Sequence, residues 1–307
     1  MRPGTGAGGP GGPSAGGSVA PHEASHDLPL ADLPPEDLRR AEAAGCRLTG
    51  LRAASRHARV HGARAGGRPA VLKVRAGADD PVGRARFARE GRAGLALRHP
   101  GLVETLRCGP DWILLGDLGV AGGPAESLHD RVRAAGPDPA WAGRLGGVAA
   151  ALAHLHARGI VHRDVKPGNV LLGPDGPVLI DLGAAGFAAG DDLGAGEIVG
   201  SPAWMAPEQI RGHPPRASAD VWSFALVLVH AASGVPAFAG GADAVLAHRR
   251  GGGAPGAGFL GAGFLGAVEG LDPGLRRLVR AALSEDPAGR PPVEAFARPA
   301  AAPRLQP

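Results

Sequence analysis

The most informative stretch of the sequence is "IVHRDVKPGNVLL", which runs from Ile160 to Leu172. It contains Lys166, one of only two lysines in the 307-residue chain, and Asn169, the only asparagine. The other lysine is Lys73, and apart from the histidines every remaining basic side chain is arginine. Because this bias toward arginine runs along the whole chain, the lysines and the asparagine indicate positions where a substitute would fail.

The side chains of this stretch have the chemistry of phosphate transfer. Asp164 is an acceptor or a base, and Lys166 points the same way in an extended loop because it lies two residues further on. Asn169 offers a neutral oxygen that suits magnesium, and Asp181 in "VLIDLG" offers a second hard oxygen. A base, a cation and two metal ligands together predict a phosphoryl-transfer site.

Further motifs resemble, in content and order, those of bacterial eukaryotic-like serine/threonine protein kinases. They are "AVLKV" with Lys73, "RFAREGRAG" with Glu90, "HRDVKPGN", "DLG" at Asp181–Gly183, "APE" at Ala206–Glu208 and "DPAGRPP" with Arg290. The resemblance covers about Arg47 to Ala297 and implies the two-lobed α+β protein kinase fold. A small β-rich lobe would span residues 45–118, and a larger helical lobe would span residues 119–298.

The resemblance also implies which residues bind ATP and magnesium and which carry out the reaction. The expected catalytic residues are Asp164, as the base, and Lys166, and the expected Mg²⁺ ligands are Asn169 and Asp181. ATP would lie in a cleft lined by Lys73, Glu90, Ala53, Ser55, Ala58, Val60, Val71, Leu115, Asp117, Leu118 and Leu171. Within this set, Asp117 and Leu118 would belong to the hinge whose backbone contacts adenine.

Four more residues would build the platform for a protein substrate. Ser201 occupies the substrate-positioning place, and Asp220 would hold the catalytic loop. Glu208 would pair with Arg290. The Asp-x-Lys-Pro-x-x-Asn form of the loop resembles serine/threonine rather than tyrosine kinases. The expected partners are therefore ATP and proteins with serine or threonine acceptors, among them the chain itself.

The glycine-rich nucleotide loop departs from the family pattern. Its three glycine positions hold Ala53, Ser55 and Ala58, whereas Val60 fits. Glycine there lets the backbone approach phosphate and adopt positive φ angles, so the substitutions predict weaker nucleotide binding than an intact loop would have. Val71, which stands where alanine is usual, is expected to crowd the adenine site slightly.

A second departure lies in the helix that carries Glu90. Gly94 stands where the family usually has leucine. This predicts a gap beside the helix unless Leu95 fills it. Because glycine also costs on the order of 1 kcal/mol in a helix, the Lys73–Glu90 arrangement is expected to be only marginally populated.

The activation segment is unusual as well, because the chain between Leu182 and Gly200 contains no serine, threonine or tyrosine. Family members with an arginine before the catalytic aspartate, as Arg163 is here, often balance it with a loop phosphate. In this chain three acidic residues could supply that charge, namely Asp191, Asp192 and Glu197. The sequence therefore predicts activity without loop phosphorylation.

Composition limits the other function classes. The net charge is +4, but no basic block with aromatic residues is present, which argues against nucleic-acid binding. Two cysteines, Cys46 and Cys108, make no disulfide framework, and no apolar run is long enough to span a membrane. These features predict a cytoplasmic protein. Residues 1–27 and 299–307 are expected to be disordered tails because they hold few large apolar groups.

Three functions remain open on the sequence alone. The first is an active serine/threonine protein kinase. The second is a pseudokinase or nucleotide-weak scaffold, which the altered glycine-rich loop favours and the intact charged residues oppose. The third is a small-molecule kinase of the aminoglycoside type, against which Asp220 and the Glu208–Arg290 pair argue, because they belong to a protein-substrate platform.

Overall fold

The computed structural model has a small lobe built on an antiparallel sheet and a larger, mostly helical lobe. It describes residues 33–77, 81–119, 123–187, 200–214, 216–238, 240–250 and 260–297, and for 248–250 the backbone only. The expectations for both tails and for the three acids of the activation segment therefore lie outside the described residues. The described residues pack around two hydrophobic cores, one for each lobe.

The small lobe is built on an antiparallel sheet with the strand order β1-β2-β3-β5-β4. The strands are β1 (Arg47–Ala54), β2 (Ala58–Ala65), β3 (Arg68–Arg75), β4 (Thr105–Cys108) and β5 (Trp112–Gly116). In β3, Ala70, Leu72 and Val74 are buried in the core of the lobe, whereas the alternate residues Val71 and Lys73 are only partly buried. This alternation turns Lys73 toward the cleft between the lobes.

Two helices complete the small lobe. Helix α1 (Pro35–Ala43) begins with proline and carries acidic residues in its first turn, both of which favour a helix start. Leu33, Ala41 and Ala44 belong to the hydrophobic core of this lobe, so the packed unit extends before residue 45. Helix α2 (Pro81–Ala96) carries Glu90.

A buried carboxylate ties α1 to the sheet. The Asp37 side chain is fully buried, and its oxygens accept hydrogen bonds from Arg59 at 2.6 and 2.7 Å and from Arg40 at 3.2 Å. His61 Nε2 lies 2.9 Å from Asp37 Oδ2. Burial alone would raise the pKa of Asp37, but the bonds from Arg59 and His61 hold it well below its ordinary value.

Replacing Asp37 with asparagine is expected to lower the free energy of unfolding by about 3 kcal/mol, because Arg59 would keep only the exposed Glu36, 3.1 Å away, as a counter-charge. A group whose pKa is lowered by folding stabilises the native state above its unfolded pKa, and this contribution disappears as the pH falls. Urea unfolding should therefore show a large difference between variant and parent at pH 7, which shrinks below about pH 4. An unchanged difference at low pH would contradict this assignment.

The large lobe surrounds one apolar helix. It contains α3 (Leu128–Ala135), α4 (Trp141–Arg144), α5 (Gly146–His156), α6 (Pro207–Ile210), α7 (Ala217–Ser233), α8 (Gly241–Arg250), α9 (Ala262–Glu269) and α10 (Pro273–Ala282). Nearly all of α7 is buried, as its apolar sequence predicts. None of the helices in the described parts of the chain is long and apolar enough to cross a bilayer.

Short strands form the floor of the cleft. They are β6 (Ile160–Val161), β7 (Val170–Gly173), β8 (Gly176–Leu179) and β9 (Gly186–Phe187), and they pair as β6–β9 and β7–β8. The catalytic loop lies between β6 and β7, and Asp181 follows β8. The lobes also meet where Val103 N–H donates to the Leu179 carbonyl at 3.1 Å. The hairpin β7–β8 thus holds the metal-ligand candidates beneath the sheet.

Candidate active site

Three charged residues from distant segments meet at the centre of the cleft. Lys73 Nζ, on β3, donates to Glu90 Oε1 at 2.7 Å and to Asp181 Oδ1 at 2.8 Å. Glu90 projects from α2, and Asp181 follows β8. The arrangement joins the sheet, the helix of the small lobe and the floor of the large lobe through a single ammonium group.

The electrostatics of this triad follow from burial and from the ammonium charge. Burial would lower the pKa of Lys73, but Asp181 and Glu90 raise it above its ordinary value, so the side chain stays protonated. The Lys73 charge holds the pKa of Asp181 below its ordinary range against the effect of burial. Burial raises the pKa of Glu90 to about 7, opposed by Lys73 and reinforced by Asp181. Of the two carboxylates bonded to Lys73, Asp181 is therefore the one that stays ionised.

The two carboxylate oxygens of Asp164, in the catalytic loop, differ in their hydrogen bonding. Its Oδ2 accepts hydrogen bonds from Lys166 Nζ at 2.8 Å and from Asn169 Nδ2 at 3.0 Å. Its Oδ1 is buried and has no hydrogen-bond partner among the residues that the structure describes. Lys166 Nζ also donates to Ser201 Oγ at 2.7 Å. The loop therefore offers a fixed, unpaired carboxylate oxygen beside a cation and a hydroxyl group.

Asp220 of α7 holds the catalytic loop from below. Its buried carboxylate accepts hydrogen bonds from the backbone N–H groups of His162 and Arg163, both at 2.8 Å. His156 Nε2 lies 2.8 Å from the same carboxylate, a contact that the sequence motifs did not reveal. Arg163 has φ of 68° and Asp181 φ of 67°, conformations that L-residues rarely adopt. Strain of this kind persists only where surrounding contacts enforce it, as at these loop residues.

A buried ion pair lies at the base of the predicted substrate platform. Arg290 donates to both carboxylate oxygens of Glu208, at 2.6 and 2.9 Å. The Arg290 side chain is fully buried, donates further to the carbonyls of Ser218 and Ser284, and lies 5.1 Å over the Trp222 ring. This pair joins α6, at the end of the activation segment, to α7 and to the segment that follows α10.

Comparison with known families bears on the same residues. The family model described as "Protein kinase domain" matches residues 113–296. The family model described as "Phosphotransferase enzyme family" matches residues 26–189. Both include the catalytic loop, but only the first reaches Glu208, Asp220 and Arg290. The chain belongs to the protein kinase family. This confirms the family and the two-lobed fold that the motifs predict.

Curated relatives of this family match the chain over part of their length. Serine/threonine-protein kinase AfsK of Streptomyces coelicolor is 35% identical over 237 residues, which are 74% of this chain and 27% of that protein. Serine/threonine-protein kinase PkaB of the same organism is 40% identical over 169 residues, 51% of this chain and 40% of PkaB. DNA damage-responsive serine/threonine-protein kinase RqkA of Deinococcus radiodurans is 35% identical over 188 residues, 58% of this chain and 28% of RqkA. The chain thus spans less than half the length of these relatives.

The apolar residues that the motifs predict around adenine lie on both lobes. Val60 stands opposite Ala53 and Lys73 in the ladders of the sheet, and Val71 stands opposite Leu115. From the large lobe Leu171, on β7, contributes the floor. These side chains are partly buried, as expected for the walls of a cleft. Leu118, after β5, approaches β7: a Cβ built on Gly173 would lie 3.8 Å from its Cδ2.

The altered glycine-rich loop closes on itself. Ser55 Oγ accepts hydrogen bonds from the backbone N–H groups of Ala58 at 3.1 Å and His57 at 3.3 Å. Ser55 N–H in turn donates to the Ala58 carbonyl at 2.8 Å. In a kinase with glycines here, amides of this turn can face a phosphate. In this chain the serine hydroxyl occupies two of them. This contact adds a second reason for the weaker nucleotide binding that the substitutions predict.

The gap expected beside Gly94 is absent, and that expectation is wrong. A Cβ built on Gly94 would lie 2.2 Å from Thr105 Oγ1 and 3.0 Å from Thr105 Cβ. Thr105 is buried at the start of β4, whereas Leu95 is exposed and fills nothing. The small residue on α2 is thus matched by a side chain from the sheet. The Lys73–Glu90 bond is formed at 2.7 Å without the family leucine, and the marginal population of this arrangement stays a prediction.

Replacing Gly94 with alanine is expected to destabilise the fold by about 2 kcal/mol through overpacking against Thr105, although alanine favours a helix. Chemical unfolding measures this, and the double variant Gly94→Ala with Thr105→Ala should be less destabilised than the single one. Gly266→Ala is the matched control, because that helical glycine has no atom within 4 Å of a built Cβ. Equal effects at the two glycines would contradict the contact.

Proposed function

We propose that the chain is a serine/threonine protein kinase that transfers the γ-phosphate of ATP to hydroxyl groups of protein substrates, itself included. The observation that carries the proposal is the buried, unpartnered Oδ1 of Asp164, adjacent to Lys166 and Ser201. A general base must lie within hydrogen-bond reach of the proton that it takes. The unpaired carboxylate oxygen of Asp164, beside Lys166 and Ser201, is such a proton acceptor.

Each residue of the site has a part in the transfer. The acceptor oxygen bonds to the γ-phosphorus, the bond from that phosphorus to the bridging oxygen breaks, and ADP leaves. Asp164 takes the hydroxyl proton through Oδ1, and Lys166 offsets charge on the transferred group. Lys73 is a compact ammonium that suits the α- and β-phosphates, a role in which the planar arginine fork is not equivalent.

The donor set also suits a divalent metal, whose use with ATP is general in this family. Asn169 bonds to Asp164 through Nδ2, which directs its amide oxygen to another ligand. Asp181 is ionised, and within the described parts of the chain it accepts hydrogen bonds from Lys73 and from Gly183 N–H through Oδ1 alone. Amide and carboxylate oxygens are the ligands that Mg²⁺ prefers, so these two residues are the proposed ligands. When bound, Mg²⁺ would neutralise phosphate charge.

The alternatives are weaker on specific residues. A pseudokinase would be expected to lack one of the charged groups, yet Lys73, Glu90, Asp164, Asn169 and Asp181 are all present. A small-molecule kinase has no need for the Glu208–Arg290 pair beneath a protein-binding platform. A cytoplasmic location is part of the proposal, because Cys46 and Cys108 are free thiols.

The decisive test is transfer of labelled γ-phosphate by the purified chain with Mg²⁺. The acceptors should be a generic basic protein in one arm and an aminoglycoside in the other, with Asp164→Asn as the blank. Label on serine or threonine of the protein supports the proposal. Label on the aminoglycoside alone, or no label above the blank, contradicts it.

Restoring the glycines is expected to tighten nucleotide binding about tenfold, because amides freed from Ser55 can bond to phosphate. The change is the triple substitution of Ala53, Ser55 and Ala58 by glycine, and calorimetry with Mg-ADP measures it. Ser55→Ala is the informative companion, since it frees the same amides without adding backbone freedom. If neither variant binds more tightly, the loop is not the cause of weak binding.

A further inference from the structure

An arginine that no kinase motif explains lies in the ceiling of the cleft. Gly62 stands directly opposite Val71 in the β2–β3 ladder, and Val71 shares its face with Lys73 because the two are two residues apart. Gly62 therefore faces the cleft. A Cβ built on Gly62 would lie 2.9 Å from Nε of Arg52, so the Arg52 side chain passes beneath this glycine.

The Arg52 guanidinium crosses from β1 to the hinge. Its two terminal nitrogens donate to the two carboxylate oxygens of Asp117, at 3.0 and 2.6 Å. Asp117 Oδ1 also accepts the Gly119 N–H at 2.9 Å. The Asp117 side chain is 8% exposed and that of Arg52 22%, so the pair is largely shielded from solvent. Bidentate pairs of this kind are among the stronger charge-assisted hydrogen bonds.

The position of the pair relates it to the base rather than to the phosphates. In the β3–β5 ladder Lys73 stands opposite Ile113, whereas Ala70 stands opposite Gly116. Asp117 follows Gly116, so the ion pair lies at the opposite end of the cleft from Lys73. If Lys73 holds the phosphates, the base lies toward the hinge, and the Arg52–Asp117 pair spans the outer edge through which a nucleotide would leave.

The charge state supports a closed pair near neutral pH. Burial would raise the pKa of Asp117, but the bonds from Arg52 and from the Gly119 N–H lower it below its ordinary value. The carboxylate is therefore ionised near neutral pH. The first strand is thus joined to the hinge whether or not the glycine-rich loop grips a phosphate.

We propose that Arg52 and Asp117 form a latch across the outer edge of the nucleotide cleft, with Arg52 as a positioning residue that slows nucleotide release. The proposal rests on the proposed function, in which this cleft binds ATP. In this proposal the ion pair retains the nucleotide in the cleft, as an intact glycine-rich loop would. Because the pair lies across the path by which the nucleotide would leave, breaking it should raise the rate of release.

The test is stopped-flow release of a fluorescent ADP analogue with Mg²⁺ from the full chain. Arg52→Gln and Asp117→Asn are each expected to release it about tenfold faster, a change of about 1.4 kcal/mol in the barrier to release. Combining the two substitutions should add little to either one, because both break the same pair. Arg52→Lys, which keeps the charge and loses the fork, should fall between parent and Arg52→Gln. Arg64→Gln, an exposed arginine on β2, is the matched control and should release at the parent rate.

The outcomes separate the latch from the function beneath it. If Arg52→Gln releases the analogue at the parent rate, the latch is overturned and the proposed function stands. The same holds if the two single effects on the release rate multiply in the double variant. Thermal melting without nucleotide checks that the variants are folded. If Arg52→Gln and Asp117→Asn do not fold, the release rate of Arg52→Lys tests the latch. No binding of the analogue by the parent chain would overturn both proposals, whereas binding and slow release without phosphate transfer would overturn only the proposed function.

Discussion

Replacing Asp164 with asparagine should lower the rate of phosphate transfer about a thousandfold, while the affinity for nucleotide changes little. The asparagine keeps the size of the side chain and can still accept the bond from Lys166 Nζ, which lies 2.8 Å from Oδ2. It cannot take a proton from the acceptor hydroxyl. The loss should therefore appear in kcat and leave KM for ATP nearly unchanged.

Single-turnover transfer of labelled phosphate gives the rate, and calorimetry gives the nucleotide affinity. Asp175→Asn is the matched control, because Asp175 is an exposed aspartate in the turn between β7 and β8 and should have no effect on either quantity. A thousandfold loss that comes with lost nucleotide binding would indicate a collapsed loop instead. A variant that transfers at the parent rate would remove Asp164 from the mechanism.

Replacing Glu208 with glutamine should lower the free energy of unfolding of the large lobe by about 3 to 5 kcal/mol. The reason is the Arg290 guanidinium, which is fully buried and would remain charged without its carboxylate. Its bonds to the Ser218 and Ser284 carbonyls offset only part of that cost. This should be the largest stability effect of any single charge-neutralising substitution in the platform.

Urea unfolding measures this effect, and two companions sharpen it. The double variant Glu208→Gln with Arg290→Met should be less destabilised than the sum of the singles, because it removes the uncompensated charge. Glu269→Gln is the surface control: Glu269 pairs with Arg276 and Arg280 in solvent, so its loss should cost less than about 0.5 kcal/mol. Similar costs at Glu208 and Glu269 would contradict the buried pair.

The motifs were sufficient to predict the family, the two-lobed fold and the residues that meet in the cleft. Lys73, Glu90 and Asp181 lie far apart in the chain, yet each stands in a short segment whose chemistry and order identify it. The structure places carboxylate oxygens of Glu90 and Asp181 within 2.8 Å of Lys73 Nζ. Their roles in catalysis remain predictions, which the kinetic experiments above test.

Reasoning from the motifs was wrong, or gave no prediction, where two segments that are distant in the chain pack together. It predicted a gap at Gly94, because the family residue there is larger, and could not foresee that Thr105 fills the space. It included Asp117 in the hinge without its partner Arg52, which lies 65 residues earlier. It left α1 outside the kinase domain, although Asp37 is bonded to Arg59 of β2.

The sequence by itself determined the kind of chemistry, because base, cation and metal ligands are side-chain properties that a short motif carries with it. Only the tertiary structure decided what surrounds them: the unpaired oxygen of Asp164, the serine that closes the nucleotide loop and the arginine that crosses to the hinge. The physical reason is that these features depend on strand register and on packing between distant segments. A one-residue change of register would turn Arg52 away from the cleft, and nothing in the residues next to it in the chain specifies that register.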